Sequence, residues 1–360
     1  MTFIFVIHIM LLEILKLGEY VMTNREIAKE LNISPAALSL IINHKPGVSE
    51  ETRKNILNRL REMGYEHLIK SPPAAASNNL SFIIYKRHGE VLDIHPFFLL
   101  LMENIEAHAK KYGYNILLCT VDKRRPMEPQ IEHLCEQDSQ GAIVFATEMQ
   151  PEDMEPFFRL PFPVVALDND FTTLGCNAVS VNNQMGTFQA VEHLIGCGIT
   201  RIGYLKGKIR ISSFKERERG YADALEHFQR SFGPEDVVEL HYSEEGSYRD
   251  MCRYLKECPE PPEGFVCDDD TIAVGAMRAL REAGYRVPED VSVIGFNDRP
   301  ACEITMPPLS SVNVSKRVFS AEAVDELIRL IENGKQDLPE IRSRKIRIGT
   351  RLVKRGSVRG

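Results

Sequence analysis

The sequence predicts a small all-α head followed by an α/β body of two doubly wound parallel-sheet subdomains with a ligand cleft between them. Three observations carry this. Between Thr23 and Gly64, three segments with apolar residues at helical spacing are separated by short turns. From Leu80 onward, short apolar runs alternate with amphipathic stretches of helical length. The alternation pauses after Asp168 and restarts at Arg201.

In the head, Thr23 and Glu26 make the S/T-x-x-E signature of a capping box, in which each side chain satisfies a free N–H of the first turn. Ile27, Ala28 and Leu31 then share one helix face. Asn32 and Ile33 make the turn. Ser34 caps a second helix, with Pro35 at the first helical position, where its missing N–H costs nothing. Leu38, Ile41 and Ile42 face inward, and Ala36, Ser39, Leu40 and Asn43 face outward. After the Lys45-Pro46-Gly47 turn, Ser49 caps a third helix, and Glu50 and Glu51 are favourable at its positive end. Ile56, Leu57, Leu60 and Met63 form its inner face, and Gly64 ends it. Two short helices joined by a turn, with small residues opening the second, have the geometry of a helix-turn-helix DNA reader. A three-helix packing unit without a DNA role has the same spacing.

Residues 66–79 read as a linker, because Pro72-Pro73 disfavours a helix there. Strands are expected at 80–85, 114–120, 141–146 and 163–168, with helices at 97–112 and 131–137 between them. The second series places strands at 201–207, 237–242, 264–270 and 291–296 and helices at 216–228, 247–257 and 271–283. Ligands of such sheets lie at the carboxyl ends of the strands.

The chain has 360 residues, 43% of them hydrophobic, and a net charge of −7, which does not advertise nucleic-acid binding. The charge is uneven: Met22–Ser71 holds eight Lys/Arg against six Asp/Glu, while the remainder is acidic. None of the eight cysteines lies in the head and none forms a C-x-x-C pair, so reduced thiols of a cytoplasmic protein are expected rather than a zinc site or disulfide framework. No nucleophile–base pair, phosphate loop or metal cluster is evident, so neither an enzyme nor a cofactor is expected. Asp268-Asp269-Asp270 is not read as a metal site, because consecutive side chains leaving a strand diverge. Residues 1–21 are apolar from Phe3 to Leu12, too short a run for a membrane span. They read as a non-functional extension ahead of an initiator at Met22, or alternatively as an amphipathic interfacial helix.

REIAKELNIS, INHKPGVSEETRKNIL and EMGY, in this register, resemble the head of the LacI/GalR family of bacterial transcription regulators. HPFF (95–98), VALDND (165–170), EHLIGCGITRIGYLKG (192–207), RERGYADAL (217–225), YRVPEDVSVIGFND (285–298) and PPLSSV (307–312) resemble its effector domain, which is similar to a periplasmic sugar-binding protein. The resemblance implies a ligand-responsive repressor of a carbohydrate-related operon that binds a pseudopalindromic double-stranded operator. Its bounds would be a head at 22–65 and an effector domain at 80–360. The first subdomain would hold about 80–181 and 313–334, the second about 182–312 and 335–356. A homodimer through the effector domains is expected. No tetramerising coiled coil is, since the tail RKIRIGTRLVKRGSV alternates like a strand. The alternative is an effector-binding protein whose degenerate head mediates protein contacts.

The family's base-facing positions fall on Pro35, Ala36 and Leu40, none of which hydrogen-bonds through its side chain. Ala36 and Leu40 would read thymine methyl groups or contribute shape alone. Phosphate positions fall on Thr23, Ser34, Ser39, Asn43, Ser49 and Thr52. Effector positions fall on Phe97, Lys215, Asp269 and Asn297, with Phe171 a further aromatic candidate. Lys215 stands where the family usually has Arg and Asn297 where it usually has Asp. That departure points to a phosphorylated or carboxylated effector as an alternative to a plain sugar.

Overall fold

The computed structural model describes residues 22–43, 47–69, 78–91, 97–335 and 343–360. Residues 1–21 and the linker residues 70–77 lie outside the described residues. The chain divides into two units, Met1–Ser77 and Asn78–Gly360.

The first unit contains α1 (Asn24–Glu30), α2 (Pro35–Ile42) and α3 (Glu50–Glu62) around one small core. Ile27, Leu31, Leu38, Ile41, Ile56 and Leu60 are its buried centre. Each helix starts on its expected cap: Thr23 with Glu26, Ser34 on the Ala37 N–H, and Ser49 on the Thr52 N–H. The ends follow from turn chemistry. Asn32 adopts φ 55° and Gly64 φ 80°, the left-handed conformation these two residues tolerate. The following N–H groups, of Ile33 and Tyr65, then close six-residue bonds to Ala28 and Leu60 at 3.0 and 2.9 Å. Beyond α3 the chain makes one short 3-10 turn, Glu66–Leu68. Leu68 and Ile69 fold back against the head core.

The second unit holds two six-stranded sheets. The first comprises β1 (Asn79–Lys86), β2 (Asn115–Asp122), β3 (Ala142–Phe145), β4 (Val164–Leu167), β5 (Asn177–Val181) and β11 (Lys345–Ile348), in the order β11-β5-β4-β3-β1-β2. Every pairing in it is parallel. The second comprises β6 (Ile202–Gly207), β7 (Val237–Leu240), β8 (Gly264–Cys267), β9 (Ser292–Asn297), β10 (Ser310–Asn313) and β12 (Arg351–Val353), in the order β12-β10-β9-β8-β6-β7. It is parallel except where β12 joins β10. Helices α4 (Phe97–Ala109), α5 (Met127–Glu136), α6 (Pro151–Met154) and α12 (Lys316–Lys335) belong with the first sheet. Helices α7 (Asn183–Gly196), α8 (Ser212–His227), α9 (Glu244–Glu257), α10 (Asp270–Glu282) and α11 (Ala301–Ile304) belong with the second. No helix among the described residues is long and apolar enough to cross a membrane.

The chain crosses between subdomains three times: from β5 into α7, from β10 into α12, and from β11 into β12. The third crossing corrects the sequence reading, which put all of 335–356 in the second subdomain. Lys345–Ile348 instead pairs with β5, where the buried Ile348 and half-buried Ile346 extend the first sheet. Gly349 and Thr350 then make the passage, so the alternating tail is two strands in two sheets.

Candidate functional site

In the head, Pro35 and Ala36 open α2 on its exposed side, and Leu40 is half-buried. A Cβ added at Gly47 would stand 3.3 Å from the Leu40 Cδ1, so Leu40 lies against the turn before α3 as well as on the outer face. The hydroxyls at the three helix starts are exposed and engaged locally. Thr23 donates to Glu26 at 2.8 Å, Ser34 accepts the Ala37 N–H at 3.0 Å, and Ser49 and Thr52 share a hydrogen bond of 2.8 Å. Asn43 donates to the Ser39 carbonyl at 2.7 Å at the far end of α2. Sequence reasoning passed over Arg53. Its buried guanidinium donates to the carbonyls of Leu40 and Ile41 at 3.2 and 3.4 Å, placing a cation on the negative end of α2 and tying α3 to it.

In the body, the ends of β8 and β9 bring two of the expected effector residues together. Asp269 caps α10 by accepting the Thr271 N–H at 2.7 Å, and its other oxygen accepts the Asn297 amide at 2.6 Å. Both residues are buried. The three consecutive aspartates diverge. Asp268 turns to the loop after β6, accepting the Tyr204 hydroxyl at 2.5 Å, the Gly207 N–H at 2.7 Å and Arg210. Asp270 accepts the Ser311 hydroxyl at 2.6 Å and the Arg299 N–H at 2.8 Å. Burial pushes the Asp268 carboxyl up to about 6, against the opposing pull of Arg210 and the Tyr204 and Gly207 hydrogen bonds. Burial and the neighbouring Asp269 charge push Asp270 up to about 7. Asn297 and Asp298 have φ 96° and 50°, and Asp168, at the end of β4 in the first subdomain, has φ 72°. Strained non-glycine residues thus sit at the carboxyl ends of strands in both subdomains, where a doubly wound sheet takes its ligand. The Thr147 hydroxyl donates to Asp168 at 2.7 Å.

Lys215 does not join this group; it is exposed. The buried cation of this helix is Arg217, two residues further along α8 and therefore about 200° around it, while Arg299 lies 3.9 Å from Asp269. Arg217 is 4% exposed, stacks 3.8 Å over the Phe296 ring, and donates to the Asp268 carbonyl at 2.5 Å and to Asn183 at 2.9 Å. The signal was present in the sequence: Phe214, Arg217, Tyr221 and Leu225 repeat at helical spacing and are buried together. Phe171 is a core residue, 3% exposed, and the side chain of Phe97 lies outside the described residues.

Sequence reasoning also missed Glu148, just beyond β3. Its buried carboxylate accepts the N–H groups of Arg87, His88, Gly89 and Val91 at 2.8–3.1 Å, fastening the loop after β1. Val91, at the end of that loop, is buried in the apolar core of the second subdomain.

Residues 191–358 match the model of a periplasmic binding protein-like domain. The chain is 28% identical over 316 residues to the ribose operon repressor of Haemophilus influenzae, covering 86% of this chain and 92% of that protein. It is 27% identical over 343 residues to the HTH-type transcriptional repressor PurR of the same species, covering 94% of this chain and 98% of that protein. The solved lac repressor dimer bound to operator and an anti-inducer has the same fold, with a TM-score of 0.69 at 22% identity over 94% of this chain and 99% of that one. A capped three-helix head, a two-lobed α/β body and repressor relatives matching along nearly their whole length are consistent with a regulator of the LacI/GalR kind.

Proposed function

We propose that the protein is a dimeric, DNA-binding transcriptional repressor of a carbohydrate-related operon, released or engaged by a small ligand in the cleft of its body. The observation that carries this is the pairing, in one chain, of a head whose three capped helix starts present exposed hydroxyls with a body that holds the Asp269–Asn297 pair and, stacked on Phe296, Arg217 at the strand ends of its second sheet. Hydroxyls and N–H groups at helix starts suit phosphates, so Thr23, Ser34, Ser49 and Thr52, with Ser39 and Asn43 at the other end of α2, hold the duplex backbone. Pro35, Ala36 and Leu40 then supply apolar contact to base edges.

The cleft favours an uncharged, hydroxyl-rich ligand over an anionic one. The argument for an anion rested on Lys215, which points away from Arg217. Arg210 and Arg217 already face Asp268 and its carbonyl, and the Asp269 carboxylate accepts the Asn297 amide beside them. Alternating acceptors and donors beside an aromatic ring suit a sugar. The name of one relative, the ribose operon repressor, points to the same class.

Dimerisation is supported by exposed apolar side chains on both subdomains. Leu118 is 53% exposed on the edge strand β2, while Ile304 and Met306, 83% and 77% exposed, flank a groove lined by Val274, Met277 and Arg278. A second copy covering both patches would bring two heads into one assembly, which one small head needs for specificity.

Selection of the full chain against a random duplex pool tests the reading. The expected result is enrichment of a pseudopalindrome bound by two chains per duplex. Retention of no sequence would favour the second reading, in which the apolar start of α2 contacts protein.

A further inference from the structure

Hydrogen bonds link the first subdomain to the cleft face of the second through five side chains. Arg347, on β11, donates Nε to Asp170 at 2.8 Å and Nη2 to Glu216 at 3.1 Å. Asp170 follows β4 in the first sheet and Glu216 lies on α8 over the second, so this guanidinium spans the two subdomains. The other oxygen of Glu216 accepts the Asn183 amide at 2.9 Å. Asn183 stands at the first crossing, and its own oxygen accepts Arg217 Nε at 2.9 Å. Asn183 and Arg217 are 2% and 4% exposed, while the Arg347 and Glu216 side chains are 35% and 26% exposed.

We propose that Arg347 is a latch that holds the two subdomains closed without a ligand, and that Arg217 reports to it through Asn183. The Arg347–Glu216 contact joins a side chain of each subdomain beside the crossings, so a bend that parts them there loses it, and it then contributes to the closed state alone. Its partial exposure keeps it weak enough to break without unfolding either subdomain. Val91 is a second contact of the same kind, a first-subdomain side chain buried in the second core. A ligand that draws Arg217 away from Asn183 removes one of the bonds that fix the Glu216 carboxylate in front of Arg347. Closure itself rests on the two-subdomain fold, and only its effect on operator affinity rests on the repressor reading.

The test uses the ligand-free full-length chain and no DNA, so its outcome is separate from that reading. Hydrogen–deuterium exchange and small-angle scattering are compared for wild type, R347A, E216Q, D170N and the R347A/E216Q pair. R347A and E216Q are each expected to speed exchange about fivefold at residues 144–150 and 264–271, at the strand ends facing the cleft, and to enlarge the radius of gyration. The double variant is expected to open no further than either single one, because one contact is lost in each case. D170N, which removes only the anchor within the first subdomain, is expected to have a smaller effect. Opening in R347A with unchanged exchange in E216Q would overturn the proposal and reduce Arg347 to local packing on Asp170. Unchanged exchange in both would overturn it as well. Should R347A fail to fold, E216Q decides alone.

Discussion

The two subdomains solve one problem in two ways. Their sheets have corresponding strand orders, so β1 matches β6 and β3 matches β8. In each, a buried carboxylate just past the third strand fastens the loop after the first. Glu148 does so with four backbone N–H groups. Asp268 takes one backbone N–H, the Tyr204 hydroxyl and Arg210. Main-chain donors cannot leave their acceptor unless the loop itself moves, so the first subdomain presents a fixed loop. Side-chain donors can rotate toward a new partner. The second subdomain is therefore the more adaptable of the two at this position.

Removing the fixed anchor should have the largest effect. In E148Q, one carboxamide replaces an anion that several N–H groups share, and its NH2 faces donors. A loss of about 3 kcal/mol in urea unfolding is expected, with faster exchange at residues 87–91. A loss below about 1 kcal/mol would mean that water or a shifted loop replaces the carboxylate, and the contrast between the subdomains would fail.

D268N should have a smaller effect, and one that depends on pH. The folded pKa of Asp268 is raised to about 6, above the usual carboxylate value near 4, so its contribution to stability is full below about pH 4 and is lost as pH rises through 6. Asparagine lacks that slope. The melting-temperature gap between wild type and D268N should narrow between pH 4.5 and pH 7.5, by the equivalent of on the order of 2 kcal/mol. A constant gap would show that the buried carboxyl stays charged throughout. Lys215→Ala should change unfolding free energy by less than about 0.5 kcal/mol, as for any exposed lysine, and should leave ligand-induced thermal shifts intact. A lost shift would return Lys215 to the cleft.

The head was legible almost residue by residue because its determinants are local. Caps, a proline at the first helical position and left-handed Asn32 and Gly64 each act within a few residues. The body was legible as alternation but not in its joins. β5 and β10 read NAVSV and SSVN, too polar to stand out as apolar runs. The sheet that claims Lys345–Ile348 depends on a neighbour more than 160 positions away in the chain. Charged residues fared worst. Lys215 and Arg217 look alike in a run of charges, and only helical phase separates them. Glu148 and Arg53 act on backbone groups, which carry no side-chain signature in a sequence.

The three crossings leave from the corresponding ends of the two sheets. They leave from β5, β10 and β11, and β5 neighbours β11 in one sheet as β10 neighbours β12 in the other. A single tether would let one lobe swivel freely under the other. Three tethers side by side forbid torsion and leave bending, like a book on its spine. A protease that nicked one of them would leave the lobes joined by two. Opening is thus confined to one degree of freedom with a built-in direction, and a small displacement near Asn183 is geared up to a wide one at the far edge of the cleft.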